Sequence, residues 1–225
     1  DIRPSRASLV AGIILIAYVI VRSIITLDKD TGVYILPLIA GIGLALVAFP
    51  VRKLGKVRDA LATLALFPIQ EIMMRTLPDY TTSVVTGRLA QLLLLGFGSN
   101  AALNGRTVNI GKEGVYISGA CNSIDQMALA TVVCCVFTLA FPIQSGAKKL
   151  LFILSAPVVA LAFNSMRIAI LAAINASGIK SRGDIFNFLH DEWGALGFGA
   201  LAVMVLGQVY LMMVEEDIRA REGNF

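Results

Sequence analysis

The sequence predicts an all-α integral membrane protein: a polytopic bundle of about six transmembrane helices, with one partly amphipathic helix and a short extracytoplasmic β-like segment. Three observations predict it. The 225 residues are 57% hydrophobic and only 15% charged, where soluble domains carry roughly 25% charged residues. The mean hydropathy is +0.79. The apolar residues gather in runs of about 20, the length that crosses a hydrocarbon core, and short polar loops separate them. Runs and loops use up the length, so residues 1–225 read as a single polytopic membrane domain.

The same numbers exclude other classes. The net charge of +4 comes from basic residues beside apolar runs, which is how membrane loops are charged, and not from a nucleic-acid-binding patch. Three cysteines, two of them adjacent (Cys134 and Cys135), make neither a disulfide framework nor a zinc pattern. One histidine excludes a multi-histidine metal site. The chain calls for no metal and no cofactor; its constant partner is the lipid bilayer.

Residues 9–27 form the first predicted span, too long for a signal-peptide core and with no small-residue cleavage site after it. Arg22, near its far end, can snorkel to the interface. Asp28-Lys-Asp-Thr-Gly32 reads as a tight polar loop. Residues 33–49 form the second span, ended by Pro50, and the basic loop Arg52 to Arg58 follows. Residues 60–77 form the third span, interrupted by Gln70, Glu71 and Arg75; the two charges stand at i and i+4 and suit an internal ion pair. Residues 81–97 mix apolar groups with threonines, Arg88 and Gln91, the pattern of an amphipathic or re-entrant helix. Residues 98–120 are too polar to span. Alternation at Val108/Ile110 and Val115/Ile117, bracketed by glycines, predicts two short strands and a hairpin-like turn there. Residues 121–141 form the fourth span, stopped by Pro142. The basic loop Gly146-Ala-Lys-Lys149 leads to the fifth, residues 150–174, closed by Asn175-Ala-Ser-Gly178. A polar connection over 179–189 precedes the sixth span, residues 190–214, and a charged tail.

Lysine and arginine placement sets the orientation. With the N-terminus inside, the inner segments carry ten: Arg3, Arg6, Arg52, Lys53, Lys56, Arg58, Lys148, Lys149, Arg219 and Arg221. The outer segments carry six: Lys29, Arg88, Arg106, Lys112, Lys180 and Arg182. Both basic loops fall inside, as the positive-inside rule requires. The protein is then multi-pass in the cell membrane, with residues 78–120 and 179–189 on the extracytoplasmic face.

This topology gathers a polar constellation at that face. Cys121 opens the fourth span with Asn122, Ser123, Asp125 and Gln126 crowded beside it. His190 opens the sixth. Arg167 lies on the fifth, on the order of 10 Å below its outer end at 1.5 Å rise per residue. A charge at that depth reads as functional, because leaving it unpaired in lipid is costly. Asn164 shares its helix face at i−3, and Asp125 lies one turn below Cys121. A cation beside a thiol favours the thiolate, an imidazole can carry the proton to a leaving amine, and a guanidinium suits an oxyanion or carboxylate. Together they suit acyl transfer through a thioester. Each residue also has a plainer use. A membrane cysteine is commonly a small apolar filler, the reading that Cys134 and Cys135 keep, and a histidine or Trp193 at a helix end is commonly an interfacial anchor.

The motifs Ala120-Cys121-Asn-Ser-Ile124, Asn164-Ser-Met-Arg167-Ile168 and Leu189-His190 with Gly194, together with the glycine-rich strand-like segment before the cysteine, give a resemblance. Over roughly residues 60 to 212 the chain resembles the exosortase/archaeosortase family of membrane transpeptidases. The resemblance implies that Cys121 is the nucleophile, His190 the acid/base and Arg167 the third catalytic group; the neighbours Asn122, Asp125 and Asn164 read as supporting residues from their spacing. It implies as substrates exported proteins with a C-terminal sorting signal of short motif, transmembrane helix and basic tail, cut and passed to an acceptor. Two departures stand out. The family commonly has glycine two residues after the cysteine, where this chain has Ser123. About six spans, where many relatives have eight, and a start without methionine imply a compact or shortened member. Two other functions fit parts of the same pattern: an intramembrane serine protease using Ser118 or Ser123 with His190, and a small transporter with Arg167 as its anion site.

Overall fold

The computed structural model describes residues 4–25, 31–141, 143, 145–177 and 182–222, and it divides into two compact units, Asp1–Ile72 and Met73–Phe225. The predicted loop at 28–30, Pro142 and Gly178 as stops, and Arg3, Lys29 and Lys180 lie outside the described residues.

In the first unit, α1 (Arg6–Ile25) packs on α2 (Leu36–Ala48), which a 3-10 turn over Thr31–Ile35 precedes. The packing is close because glycines face each other. A Cβ on Gly12 would lie 2.6 Å from the Gly43 carbonyl oxygen, so only small residues allow this approach. Ser8 Oγ donates to the Leu46 carbonyl at 2.8 Å, hiding its hydroxyl from the apolar surroundings. After Pro50, the basic loop is a 3-10 segment, Val51–Val57.

The stretch 60–77 differs from its predicted single span. It forms two short helices, α3 (Arg58–Leu64) and α4 (Ile69–Thr76), with a turn between them. Pro68 explains the break: it has no N–H to continue the helix. The residues before it close i+3 turns instead, Leu66 N–H to Thr63 O at 3.1 Å and Phe67 N–H to Leu64 O at 3.3 Å.

The second unit is built on α7 (Gly146–Ala176). Against it pack α5 (Asp79–Gly96), α6 (Ile124–Ala140), α8 (Arg182–His190), α9 (Glu192–Glu222) and two strands of a small sheet. Among the described residues, three helices are long and apolar enough to cross a membrane: α1, α7 and residues 192–219 of α9. Gly32–Ala48 and α6 are shorter apolar helices. This is a polytopic helical membrane protein.

Helix α5 turns the usual amphipathic arrangement around. Its buried face is Thr82, Ser83, Thr86, Gly87, Ala90 and Leu94, spaced at i+3 and i+4. Val85, Leu92, Leu93 and Leu95 point outward. Arg88 and Gln91, which made the segment look amphipathic, act at its edge: Arg88 donates to Gln91 Oε1 at 3.0 Å, and Gln91 Nε2 donates to the Ala101 carbonyl at 3.1 Å. They fasten α5 to the sheet.

That sheet has three antiparallel strands where two were predicted: β1 (Ala101–Asn104), β2 (Thr107–Ile110) and β3 (Glu113–Tyr116), in the order β1-β2-β3. Asn104 pairs with Thr107 across a two-residue loop in which Gly105 has φ 59, and Ile110 pairs with Glu113 across a loop in which Gly111 has φ 63. Such tight turns need positive φ, which glycine adopts without a steric penalty. Val108, Val115 and Ile117 are buried against α5 and α7, in one cluster that also contains Ala90, Ile168, Leu171 and Cys121. A second cluster fills the space between α6, α7 and α9 around Cys134, Phe152, Leu206 and Tyr210.

The ends of α7 and α9 are tied. Ser145 caps α7 by accepting from Lys148 N–H at 3.4 Å. The Lys148 ammonium reaches Glu216 at 3.0 Å and Asp217 at 3.1 Å. The predicted basic loop Gly146-Ala-Lys-Lys149 is the first turn of α7.

Candidate active site

Cys121 closes a 3-10 turn, Gly119–Cys121, with its N–H donating to the Ser118 carbonyl at 2.9 Å. Helix α6 begins only at Ile124, after a reversal at Ser123, whose φ is 78. Ser123 is the one non-glycine residue with positive φ among the described residues. A side chain in this left-handed region costs on the order of 1–3 kcal/mol. The reversal explains a correction. Asp125 was to lie one helical turn below Cys121, but Cys121 is outside the helix, so i, i+4 geometry does not apply. Asp125 is exposed and does not line the cleft that holds Cys121.

His190 also sits differently from its predicted place. It is the last residue of α8, not the first of the sixth span, and most of the predicted polar connection is helix. Asp191 separates it from α9, and its N–H donates to the Asn187 carbonyl at 2.8 Å. The joint is tight: a Cβ on Gly194 would run into the Leu189 carbonyl. The Phe186 ring, one turn back, stacks on the imidazole with centroids 5.5 Å apart, which sets the plane of the ring.

Cys121 Sγ lies 3.8 Å from His190 Nε2, within reach of a sulfur hydrogen bond. On the other side of the ring, His190 Nδ1 is 3.8 Å from Asp191 Oδ1. Arg167 is 1% exposed, nine residues before the end of α7. Among the described residues its Nε and Nη1 have no hydrogen-bond partner. Cys121, Arg167 and His190 line one open cleft of about 560 Å³, together with Asp191, Glu192, Trp193 and Ala195. Trp193 is 72% exposed at its rim.

Asn122 and Asn164 are both buried, and both hold the turn. Asn122 Oδ1 accepts from Ile124 N–H at 3.0 Å, capping α6, and its Nδ2 donates to Asp79. Asn164 Nδ2 donates to the Cys121 carbonyl at 2.8 Å and to Ser123 Oγ at 2.7 Å. Gln126 ties α6 to α9 through the Ala195 carbonyl at 3.0 Å. Neither Ser118 nor Ser123 lines the cleft.

Two residues at this turn were not singled out from the sequence. Asp79, in the first turn of α5, accepts from Asn122 and pairs with Arg106 at 2.6 Å, joining the β1–β2 loop to the turn. Desolvation alone would lower the pKa of Arg106, but hydrogen bonds and charge from Asp79 and Tyr116 raise it above its ordinary value. Thr86 Oγ1 lies 3.0 Å from Ser123 Oγ and 3.2 Å from the Asn122 carbonyl. The available signal for Asp79 was an acidic residue after Pro78, a helix start. Thr86 carried none, because threonine in an apolar helix usually bonds its own i−4 carbonyl, as Thr86 also does with Thr82 O at 2.9 Å.

A multi-pass helical bundle that sets a thiol against an imidazole and a buried guanidinium fits the class of membrane cysteine-peptidase-like enzymes. The chain belongs to the transmembrane exosortase family: residues 1–207 match the family described as Transmembrane exosortase (Exosortase_EpsH). The match takes in the first unit as well as the second. No curated protein matches the chain, and no solved structure does.

Proposed function

We propose that the protein is a membrane transpeptidase that cuts C-terminal sorting signals of exported proteins through a thioester on Cys121, working on the extracytoplasmic face. The single observation that carries this is the approach of Cys121 Sγ to His190 Nε2, at 3.8 Å, beside a buried guanidinium. Family membership supports the substrate class in general terms.

The steps follow from the geometry. His190 Nε2 takes the thiol proton, and Sγ attacks the scissile carbonyl carbon. As the C–S bond forms, charge moves to the carbonyl oxygen, where the free donors of Arg167 can meet it. Collapse breaks the C–N bond, and His190 returns its proton to the leaving amine. An acceptor amine then attacks the thioester and gives a proton to His190. The C–S bond breaks, and the thiol is restored. Asp191 faces the other ring nitrogen and stabilises the imidazolium while it holds the proton.

Mass spectrometry of the enzyme incubated with a sorting-signal peptide tests this. The expected result is an acyl adduct on Cys121 that hydroxylamine releases as the hydroxamate. Hydroxamate released equally by a Cys121→Ala enzyme would end the proposal.

A further inference from the structure

We propose that Ser123 is a positioning residue: its hydroxyl, pinned between Thr86 and Asn164, holds the left-handed turn that aims Cys121 at His190 and Arg167. This rests on Cys121 being the nucleophile. Four observations converge on Ser123. Its φ of 78 belongs to the region where a Cβ is disfavoured, so something outside the residue must hold it there. Serine at the residue before a helix usually caps it with its own hydroxyl, but Ser123 makes no such bond. Asn122 caps α6 in its place, through Ile124 N–H. The Ser123 hydroxyl, in a residue only 4% exposed, turns instead to two other helices, to Thr86 Oγ1 at 3.0 Å on α5 and to Asn164 Nδ2 at 2.7 Å on α7.

The pin grips the turn as well as the side chain. Asn164 donates its second amide hydrogen to the Cys121 carbonyl, and Thr86 reaches the Asn122 carbonyl. On the far side, the Ser123 carbonyl accepts from Met127 N–H at 2.9 Å and starts α6. Ser123 is thus the hinge between a fixed helix and the turn that carries the thiol. If it relaxed to negative φ, the residues before it would rotate against α6, and Sγ would leave the 3.8 Å approach to His190. Glycine would need no pin at this φ; serine needs one, and the two flanking helices supply it.

The experiment uses the whole chain in detergent, with Cys134→Ala and Cys135→Ala so that Cys121 is its only thiol. Two rates are measured: alkylation of Cys121 by iodoacetamide, and turnover of a sorting-signal peptide with kcat and KM separated. Ser123→Ala keeps the Cβ and loses the pin. Both the alkylation rate and kcat should fall about tenfold to a hundredfold with KM little changed, the scale expected when a reacting group is misplaced by about an ångström. Ser123→Gly should recover most of that loss, because glycine holds positive φ unaided. Parent rates in Ser123→Ala, or a Ser123→Gly as slow as Ser123→Ala, would overturn the proposal. If Ser123→Ala does not fold, Thr86→Val gives a second route: it should slow both rates, and adding Ser123→Gly should relieve most of the defect. No relief would overturn the proposal equally. Alkylation needs no substrate. A chain with the expected alkylation rates that never cuts the peptide would therefore refute the transpeptidase reading and leave this one standing.

Discussion

Cys121 and Cys134 are both nearly inaccessible, at 4% and 0% exposure, and they lie at opposite ends of one stretch of chain. Their surroundings differ in kind. Cys134 stands inside α6 among Phe152, Leu206 and Tyr210, whose hydroxyl donates to the Phe137 and Phe141 carbonyls. Cys121 stands outside the helix, on a turn held by Asn164, Thr86 and Asn122, 3.8 Å from an imidazole and in one cleft with a buried arginine. One thiol fills space and the other is presented to an open cleft. Burial therefore does not tell the two cysteines apart. The difference lies in which groups can take the thiol proton and meet the charge that follows.

Substitutions test how deep that contrast goes. Cys121→Ala should lower cleavage on the order of 10⁴-fold or more, the scale seen when a nucleophile is removed, with uncut precursor left in the membrane. Cys121→Ser should be nearly as inactive, since a hydroxyl is much harder to ionise beside the same partners. Cys134→Ala should leave turnover unchanged, and a gel-shift assay of precursor processing reads all three. Equal loss at both cysteines would break the comparison.

His190→Ala should cost about 10²–10⁴-fold in kcat, the range of a general acid–base. No second histidine exists to replace it. Arg167→Lys keeps the charge and loses the planar fork. Its kcat should fall on the order of 10²–10³-fold, while circular dichroism and the thermal midpoint stay near those of the parent. Near-normal turnover in the lysine variant would reduce Arg167 to a diffuse charge. The smallest effect belongs to Cys134→Ser, which places a hydroxyl in the apolar cluster. It should lower stability in detergent by about 1–2 kcal/mol without changing turnover per folded molecule. A loss of turnover there would join the two cysteines functionally and blur the contrast.

The cleft was legible where lipid makes polar groups conspicuous. Arg167 in an apolar run, the lone histidine and a thiol among polar neighbours all stand out against such a background. Their supports do not. Thr86 is an ordinary helix threonine until a second helix lies beside it. The turn at Ser123 is a backbone event that no side-chain pattern announces, and it misplaced Asp125. The strand Ala101–Asn104 lacks the β-branched alternation that reveals a strand, and only its pairing with Thr107–Ile110 defines it. The joint after His190 depends on Gly194, and glycine is too common in membrane helices to mark a break. Residues 60–77 satisfy a hydropathy window, yet Pro68 removes the hydrogen bond that one continuous helix would need.

The inside-out helix α5 has a consequence for biogenesis. A translocon sorts segments by average polarity, and the hydroxyls of Thr82, Ser83 and Thr86 make α5 a poor candidate for early partitioning into lipid. Its outward leucines make it equally poor company for water. It can settle only when α7 and the strands are there to receive its polar side. Because Thr86 is on that side, the step that settles α5 also completes the turn around Cys121. A chain stalled before that step would carry every residue of the cleft and still lack a set thiol, so enzymatic competence would mark the end of assembly.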